Sequence, residues 1–279
     1  RMLLLLNKLK YPRIGSEKLK FCTLASGSSG NCMLVSYEST HILIDAGISM
    51  RRTALSLKNL GLHPTDLSGI LITHEHSDHV KGLVNLTKHF ALPVYAAHKT
   101  ASALISSVPE LCETICDFRA GDSFGLGSVE VHSFRTPHDT PESVGYRLCA
   151  RGRSLALVTD LGCVPRSVLE AVSGCDAVVL ESNYDVEMLR IGKYPPFLKK
   201  RILGDRGHLS NEAGAQFAMA LVESGTRRLV LAHLSRDNNT PELAFSSVNS
   251  HLRRGGAILG RDFEMSVAPR DTMGIRYSL

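Results

Sequence analysis

The sequence predicts an α/β fold in one sizeable domain, and three observations predict it. Short apolar runs rich in β-branched residues alternate along the chain with longer segments whose apolar residues recur at helical spacing. Several of the short runs end abruptly in histidine or aspartate, as buried parallel strands do where they deliver a loop at a sheet edge. The chain has 279 residues, 43% of them hydrophobic, which is enough for a substantial core. No repeat, low-complexity tract or wide linker divides it. Periodicity alone goes no further than α/β.

Residues 1–19 read as an N-terminal extension. Residues 3–6 are all leucine but are followed by Asn7 and scattered lysines. That run is far short of the roughly 20 apolar residues of a membrane span and of a signal-peptide core. The domain, 20–279, opens on the strand Lys20-Phe21-Cys22-Thr23-Leu24 and the loop Ala25-Ser26-Gly27-Ser28-Ser29-Gly30-Asn31. No other apolar run is long enough to cross a bilayer, so a soluble, cytoplasmic protein is expected. The cysteines agree: their number, seven, is odd, and Cys22, Cys32, Cys149, Cys163 and Cys175 lie in or beside apolar strands, where a free cysteine packs as a small hydrophobe.

After a helix expected over 53–60, the apolar strand Ile70-Leu71-Ile72 gives way to Thr73-His74-Glu75-His76-Ser77-Asp78-His79. Four metal-capable side chains fall within six residues. His74 and His76 are two apart, so an extended strand end points both imidazoles to one side, while the following turn can aim Asp78 and His79 at a second point. Four donors from one loop crowd a single ion, and the spacing points to two ions that need further ligands from other strand ends. A helix follows over 100–107. Cys112 and Cys116 lie beyond it, but no second Cys/His pair stands near to make a zinc clip.

Three strand ends answer that need. His138 follows the strand-like segment 129–134, Asp160 closes Leu155-Ala156-Leu157-Val158-Thr159, and His233 closes Leu229-Val230-Leu231-Ala232. Helices are expected over 164–172, 211–224 and 241–254. Ahead of the second lies Gly207-His208-Leu209-Ser210-Asn211, where Ser210 or Asn211 can cap the helix and His208 stands just before its N-terminus, a place suited to a phosphate. Upstream, residues 190–206 carry six basic side chains (Arg190, Lys193, Lys199, Lys200, Arg201 and Arg206) against one acid, Asp205, in a chain of formal net charge +5. This stretch reads either as the wall of a groove for a polyanion or as a solvated helix face. Tyr184, Tyr194 and Phe197 interleave with it and could stack bases.

The HxHxDH run, followed in order by a histidine, an aspartate and a last histidine, resembles the metallo-β-lactamase superfamily. That resemblance implies a four-layer αββα sandwich with a metal cleft between two sheets at one edge. It also implies roles: His74, His76 and His138 hold one metal, Asp78, His79 and His233 a second, and Asp160 bridges them. Gly27-Ser28-Ser29-Gly30-Asn31, Leu180-Glu181-Ser182-Asn183-Tyr184-Asp185, the His208 segment and Leu231-Ala232-His233-Leu234-Ser235-Arg236-Asp237-Asn238-Asn239 together resemble the bacterial YycJ/WalJ/VicX subgroup, linked to DNA exonuclease activity. That subgroup resembles the β-CASP nucleases without their inserted domain, and the interval from Asp160 to His233 is too short to hold one.

The chemistry so implied is phosphodiester hydrolysis, most simply of a DNA end, in which two divalent ions acidify a shared water that attacks phosphorus. Asp78 would orient that water and His208 would donate to the phosphate or protonate the leaving oxygen. Glu75 and Asp139 are candidates to hold an imidazole in the required tautomer. Nitrogen and oxygen donors without thiolate suit zinc, manganese or ferrous iron. A hydrolase of a small ester, thioester or cyclic phosphodiester would use the same seven ligands. A non-catalytic metal-binding regulator would be marked by a missing ligand, and none of the seven is missing.

Overall fold

Apolar residues that alternate between two different cores make this molecule layered. The structure is a computed structural model and describes residues 18–279. Most of the expected N-terminal extension therefore lies outside the described residues, although Leu19 is buried within the core. The first sheet takes β1 (Lys20–Ala25), β2 (Cys32–Tyr37), β3 (Thr40–Ile44), β4 (Gly69–Ile72), β5 (Val94–Ala97) and β6 (Ile115–Phe118). The second takes β7 (Ser123–Leu126), β8 (Val129–Arg135), β9 (Val144–Ala150), β10 (Arg153–Val158), β11 (Ala177–Glu181), β12 (Arg228–Ala232) and β13 (Glu264–Val267), and β14 (Tyr277–Ser278) returns to flank β1.

Each sheet is half antiparallel meander and half parallel array. β3 to β6 pair in parallel in one, β10 to β13 in the other. The central parallel strands β4, β11 and β12 are buried on both faces, which is why their sequences are almost continuously apolar. Successive residues serve different layers. Ile42, Ile44, Leu71, Val179 and Val230 pack between the sheets with Val131, Tyr146 and Leu155. Leu43, Ile70 and Ile72 face outward against Leu57, Leu83, Leu86 and Leu104, while Val178, Leu180, Leu229 and Leu231 face Val168, Phe217, Leu221, Val248 and Leu252.

Those outer partners come from helices, which completes the four αββα layers. On the first sheet lie α1 (Met50–Asn59), the one-turn α2 (Ser77–Val80), α3 (Leu83–Phe90) and α4 (His98–Ser107). On the second lie α5 (Arg166–Val172), α8 (Asn211–Glu223) and α9 (Pro241–Arg254), while α6 (Val186–Ile191) and α7 (Pro196–Leu203) pack with Tyr184 in a small separate cluster. The five expected helices are present. The first starts three residues early because Ser49 caps it, and the 164–172 helix starts late because Pro165 forms its N-cap. The helices α2, α3, α6 and α7 were not anticipated: α2 is a single turn, and the last two are short and separated by Gly192 and the Pro195-Pro196 pair, which masks their periodicity. Among the described residues, no helix is long and apolar enough to cross a membrane.

Candidate metal centre and active-site cleft

Strand ends assemble the site. Where β3 stops, Asp45 turns at φ +61°, Asp160 does the same beyond β10, and His233 sits at φ +57° after β12. Left-handed backbone at a non-glycine residue costs on the order of 1 kcal/mol and persists only where the surroundings impose it. Here it redirects each polar side chain out of the sheet toward the same point. The loop after β4 is clamped from below: Asp45 accepts from the Thr73 amide at 2.9 Å, and Ala46 donates to the His79 carbonyl at 2.7 Å. Gly47 makes this packing possible, since a Cβ there would lie 1.6 Å from the Asp78 carbonyl oxygen.

The seven residues singled out from the sequence converge. Donor atoms of His74, His76 and His138 lie within 4.8 Å of one another, as do those of Asp78, His79 and His233 and those of His74, His79 and Asp160. His79 Nε2 and His233 Nε2 stand 3.4 Å and 3.5 Å from Asp78 Oδ2, and His79 Nε2 is 3.5 Å from Asp160 Oδ2. Donors bound ~2.0–2.2 Å from one ion at tetrahedral angles are about 3.3–3.6 Å apart. His74 Nε2, Asp160 Oδ2 and His233 Nε2 are buried without any hydrogen-bond partner. Such orphaned acceptors are costly unless a cation completes them, so the donor set fits divalent metal.

Electrostatics divide the centre in two. Burial, with His79 and His138 nearby, holds the His74 imidazole well below its usual range, and burial lowers His76 and His138 as well. These are neutral rings ready to act as ligands. Burial would also lower His79 and His233, but the carboxylates around them win: Asp45 and Asp160 raise the first well above its ordinary value, and Asp160, Asp78 and Glu181 raise the second to about 10. Conversely, burial alone would raise Asp78, but the His233 and His79 rings beside it hold its carboxyl far below the usual range. The pocket thus stabilises positive charge, which protons or metal ions can supply.

Two carboxylates that the sequence reading did not name as site residues hold the rings in place. Asp45 Oδ2 lies 2.7 Å from His79 Nδ1. Glu181, fully buried at the end of β11, meets His233 Nδ1 at 2.7 Å and His208 Nδ1 at 3.0 Å, and accepts from the Leu209 amide at 2.8 Å. Both end apolar strands, as Asp160 does, in Ile42-Leu43-Ile44-Asp45 and Val178-Val179-Leu180-Glu181. Asp45 lies upstream of the histidine cluster and Glu181 is a glutamate, so neither is the downstream strand-ending His or Asp that marks His138, Asp160 and His233. The Gly207 carbonyl takes His138 Nδ1 at 3.1 Å. The expected tautomer-holding role of Glu75 and Asp139 is therefore filled by other groups. Glu75 meets Thr100 instead of an imidazole, and Asp139 faces the Nε2 side of His138 and His76.

A cleft of about 220 Å³ opens over the centre, lined by His76, Asp78, Asp160, His208 and His233 on its floor and by Tyr194, Leu198, Arg201 and Ile202 on one wall. His208, 21% exposed, precedes Ser210, which caps α8 by accepting from the Ala213 amide. The stretch 190–206 supplies that wall through Tyr194 and α7, but its charges are unequal in use. Arg190 pairs with Glu187, Arg201 pairs with Asp139, and Arg206 donates to the carbonyls of His138 and Thr140. Lys193 and Lys200 are exposed. Tyr184 is buried and bridged to Ser210, so it cannot stack a base, whereas Phe197 is 75% exposed.

Comparison with known proteins agrees with this geometry. The beta-lactamase superfamily domain matches residues 40–234. The chain is 44% identical over 250 residues to exodeoxyribonuclease YycJ of Bacillus anthracis, covering 88% of this chain and 94% of that protein. It is 36% identical over 258 residues to exodeoxyribonuclease WalJ of Streptococcus pneumoniae serotype 2, covering 91% and 95% respectively. In fold it is similar to the metallo-beta-lactamase fold protein YhfI of Bacillus subtilis, with a TM-score of 0.69 at 14% identity over 94% of this chain and 100% of that one.

Proposed function

Since the chain belongs to the beta-lactamase superfamily, and within it is similar over nearly its whole length to two exodeoxyribonucleases, we propose that it is a metal-dependent exodeoxyribonuclease. The observation that carries this reading is the convergence of seven donors, at spacings suited to shared ions, on the floor of a cleft whose wall is a basic helix. In it, His74, His76 and His138 would hold one divalent ion, Asp78, His79 and His233 another, and Asp160 both. Bound there, zinc or manganese would supply Lewis acidity toward a phosphate oxygen and lower the pKa of water.

The chain's own groups do the rest. Asp45, Glu181 and the Gly207 carbonyl engage the Nδ1 atoms of His79, His233 and His138, leaving each Nε2 toward the centre. Asp78 uses Oδ2 toward His79, His233 and Asn31, so Oδ1 is left to orient the attacking water. Glu181 accepts from His208 Nδ1 and leaves Nε2 for the cleft, where the ring, when protonated on both nitrogens, donates to a phosphate oxygen or protonates the leaving oxygen. The exposed lysines of the α7 side would contact the DNA backbone. We assign the protein to the cytoplasm, where its seven free thiols would stay reduced.

The test is metal analysis of the purified protein, followed by incubation with end-labelled single- and double-stranded DNA and RNA. DNA should shorten from its ends, and a chelator should stop the reaction. Turnover of bis-p-nitrophenyl phosphate with no polynucleotide cleaved would overturn the nuclease reading in favour of a small-substrate phosphodiesterase.

A further inference from the structure

Asp139 presents a contact that the seven-ligand arrangement leaves unexplained. Its Oδ1 is buried with no hydrogen-bond partner, as are His74 Nε2, Asp160 Oδ2 and His233 Nε2. It lies 3.5 Å from His138 Nε2 and 4.0 Å from His76 Nε2. The Gly207 carbonyl can only accept, so His138 carries its proton on Nδ1 and its Nε2 is a bare lone pair. A carboxylate oxygen facing that lone pair across 3.5 Å is a repulsive pair of acceptors unless a cation lies between them.

We propose that Asp139 is a further ligand of the divalent ion held by His74, His76 and His138. Its separation from His138 Nε2 matches the 3.4–3.5 Å spacing of the Asp78, His79 and His233 donors. The carboxylate has little freedom to turn elsewhere. Arg201 of α7 pairs with its other oxygen, and Arg206 fixes the loop on both sides by donating to the carbonyls of His138 and Thr140 at 2.9 Å and 3.0 Å. A hard oxygen donor added to three imidazoles and the shared Asp160 brings the donor count to five, beyond the tetrahedral preference of zinc, and suits manganese. The inference rests on the metal-centre reading above and adds a ligand and a metal preference to it.

The experiment is calorimetric titration of chelator-stripped protein with Mn²⁺ and, separately, Zn²⁺, with the visible spectrum of the Co²⁺-loaded form as a second readout. Asp139→Asn is compared with wild type and with Glu75→Gln, a neighbouring carboxylate that meets only Thr100. The variant should bind one of two Mn²⁺ ions at least about 10-fold more weakly. Its Zn²⁺ affinity should change less, and its Co²⁺ absorption should intensify as the coordination number falls. Unchanged Mn²⁺ affinity and an unchanged Co²⁺ spectrum would overturn the assignment. Equal losses in Glu75→Gln would also overturn it by showing a general disturbance of the loops. Wild-type protein that binds no divalent ion would instead bring down the metal-centre reading on which it rests.

Discussion

At Asp45 the backbone turns at φ +61°, and its carboxylate meets both the Thr73 amide and the His79 ring. One side chain thus sets the loop and the tautomer of a ring it contains. Asp45→Asn keeps the shape but removes the charge, and it should weaken one of two metal ions by about 10–100-fold. Metal titration decides this, and wild-type affinity at both sites would sink the role. His208 makes the opposite prediction. Its ring is anchored by Glu181 and open to the cleft, outside the seven-donor set. His208→Ala should keep both ions yet lose roughly 10²-fold in kcat on a phosphodiester. Unaltered kcat would make it a simple loop histidine.

Between elements, the two sheets are tied next to the metal loop. Tyr146 of β9 is fully buried between the sheets, and its hydroxyl donates to the Ile72 carbonyl at the end of β4, 2.6 Å away. Removing a buried partner of this kind costs about 1–2 kcal/mol. Tyr146→Phe should therefore lower the unfolding free energy by that amount in a denaturant titration, with little change in the slope. A change below a few tenths of a kcal/mol would mean that the carbonyl is satisfied without the hydroxyl. The α7 helix is tied in a different way, because Arg201 and Arg206 attach it to the loop that carries His138. Basic residues in this stretch are thus partly structural, and reversing Arg201 would disturb the centre as well as any interface.

Across the whole molecule, the formal charge of +5 acts through its placement. Lys193 and Lys200 are exposed beside the cleft, where Phe197 and Lys200 also line an adjoining recess. Lys193→Glu with Lys200→Glu should weaken DNA binding and flatten the slope of log Kd against log salt by about 1 for each phosphate that the protein no longer neutralises. Metal content should remain that of wild type. A slope that does not move would return the stretch to a solvated face.

Much of this protein is legible from its sequence because metal ligands and buried parallel strands leave local signatures. Apolar runs ended by His74, His138, Asp160 and His233 betray both the strands and what they deliver. The five expected helices are marked by periodicity, and α1, α8 and α9 also by capping residues, signals that are likewise local. What the tertiary structure alone decided are matters of convergence between distant segments. Asp45 and Glu181 look like any carboxylate after a strand until folding sets them against His79, His208 and His233. Tyr184 reads as an available aromatic until its ring is found buried, and Arg201 reads as free charge until Asp139 meets it. The physical reason is range: spacing along a chain fixes which face a residue takes within one element, whereas its partner, its burial and hence its protonation depend on segments tens to hundreds of residues away.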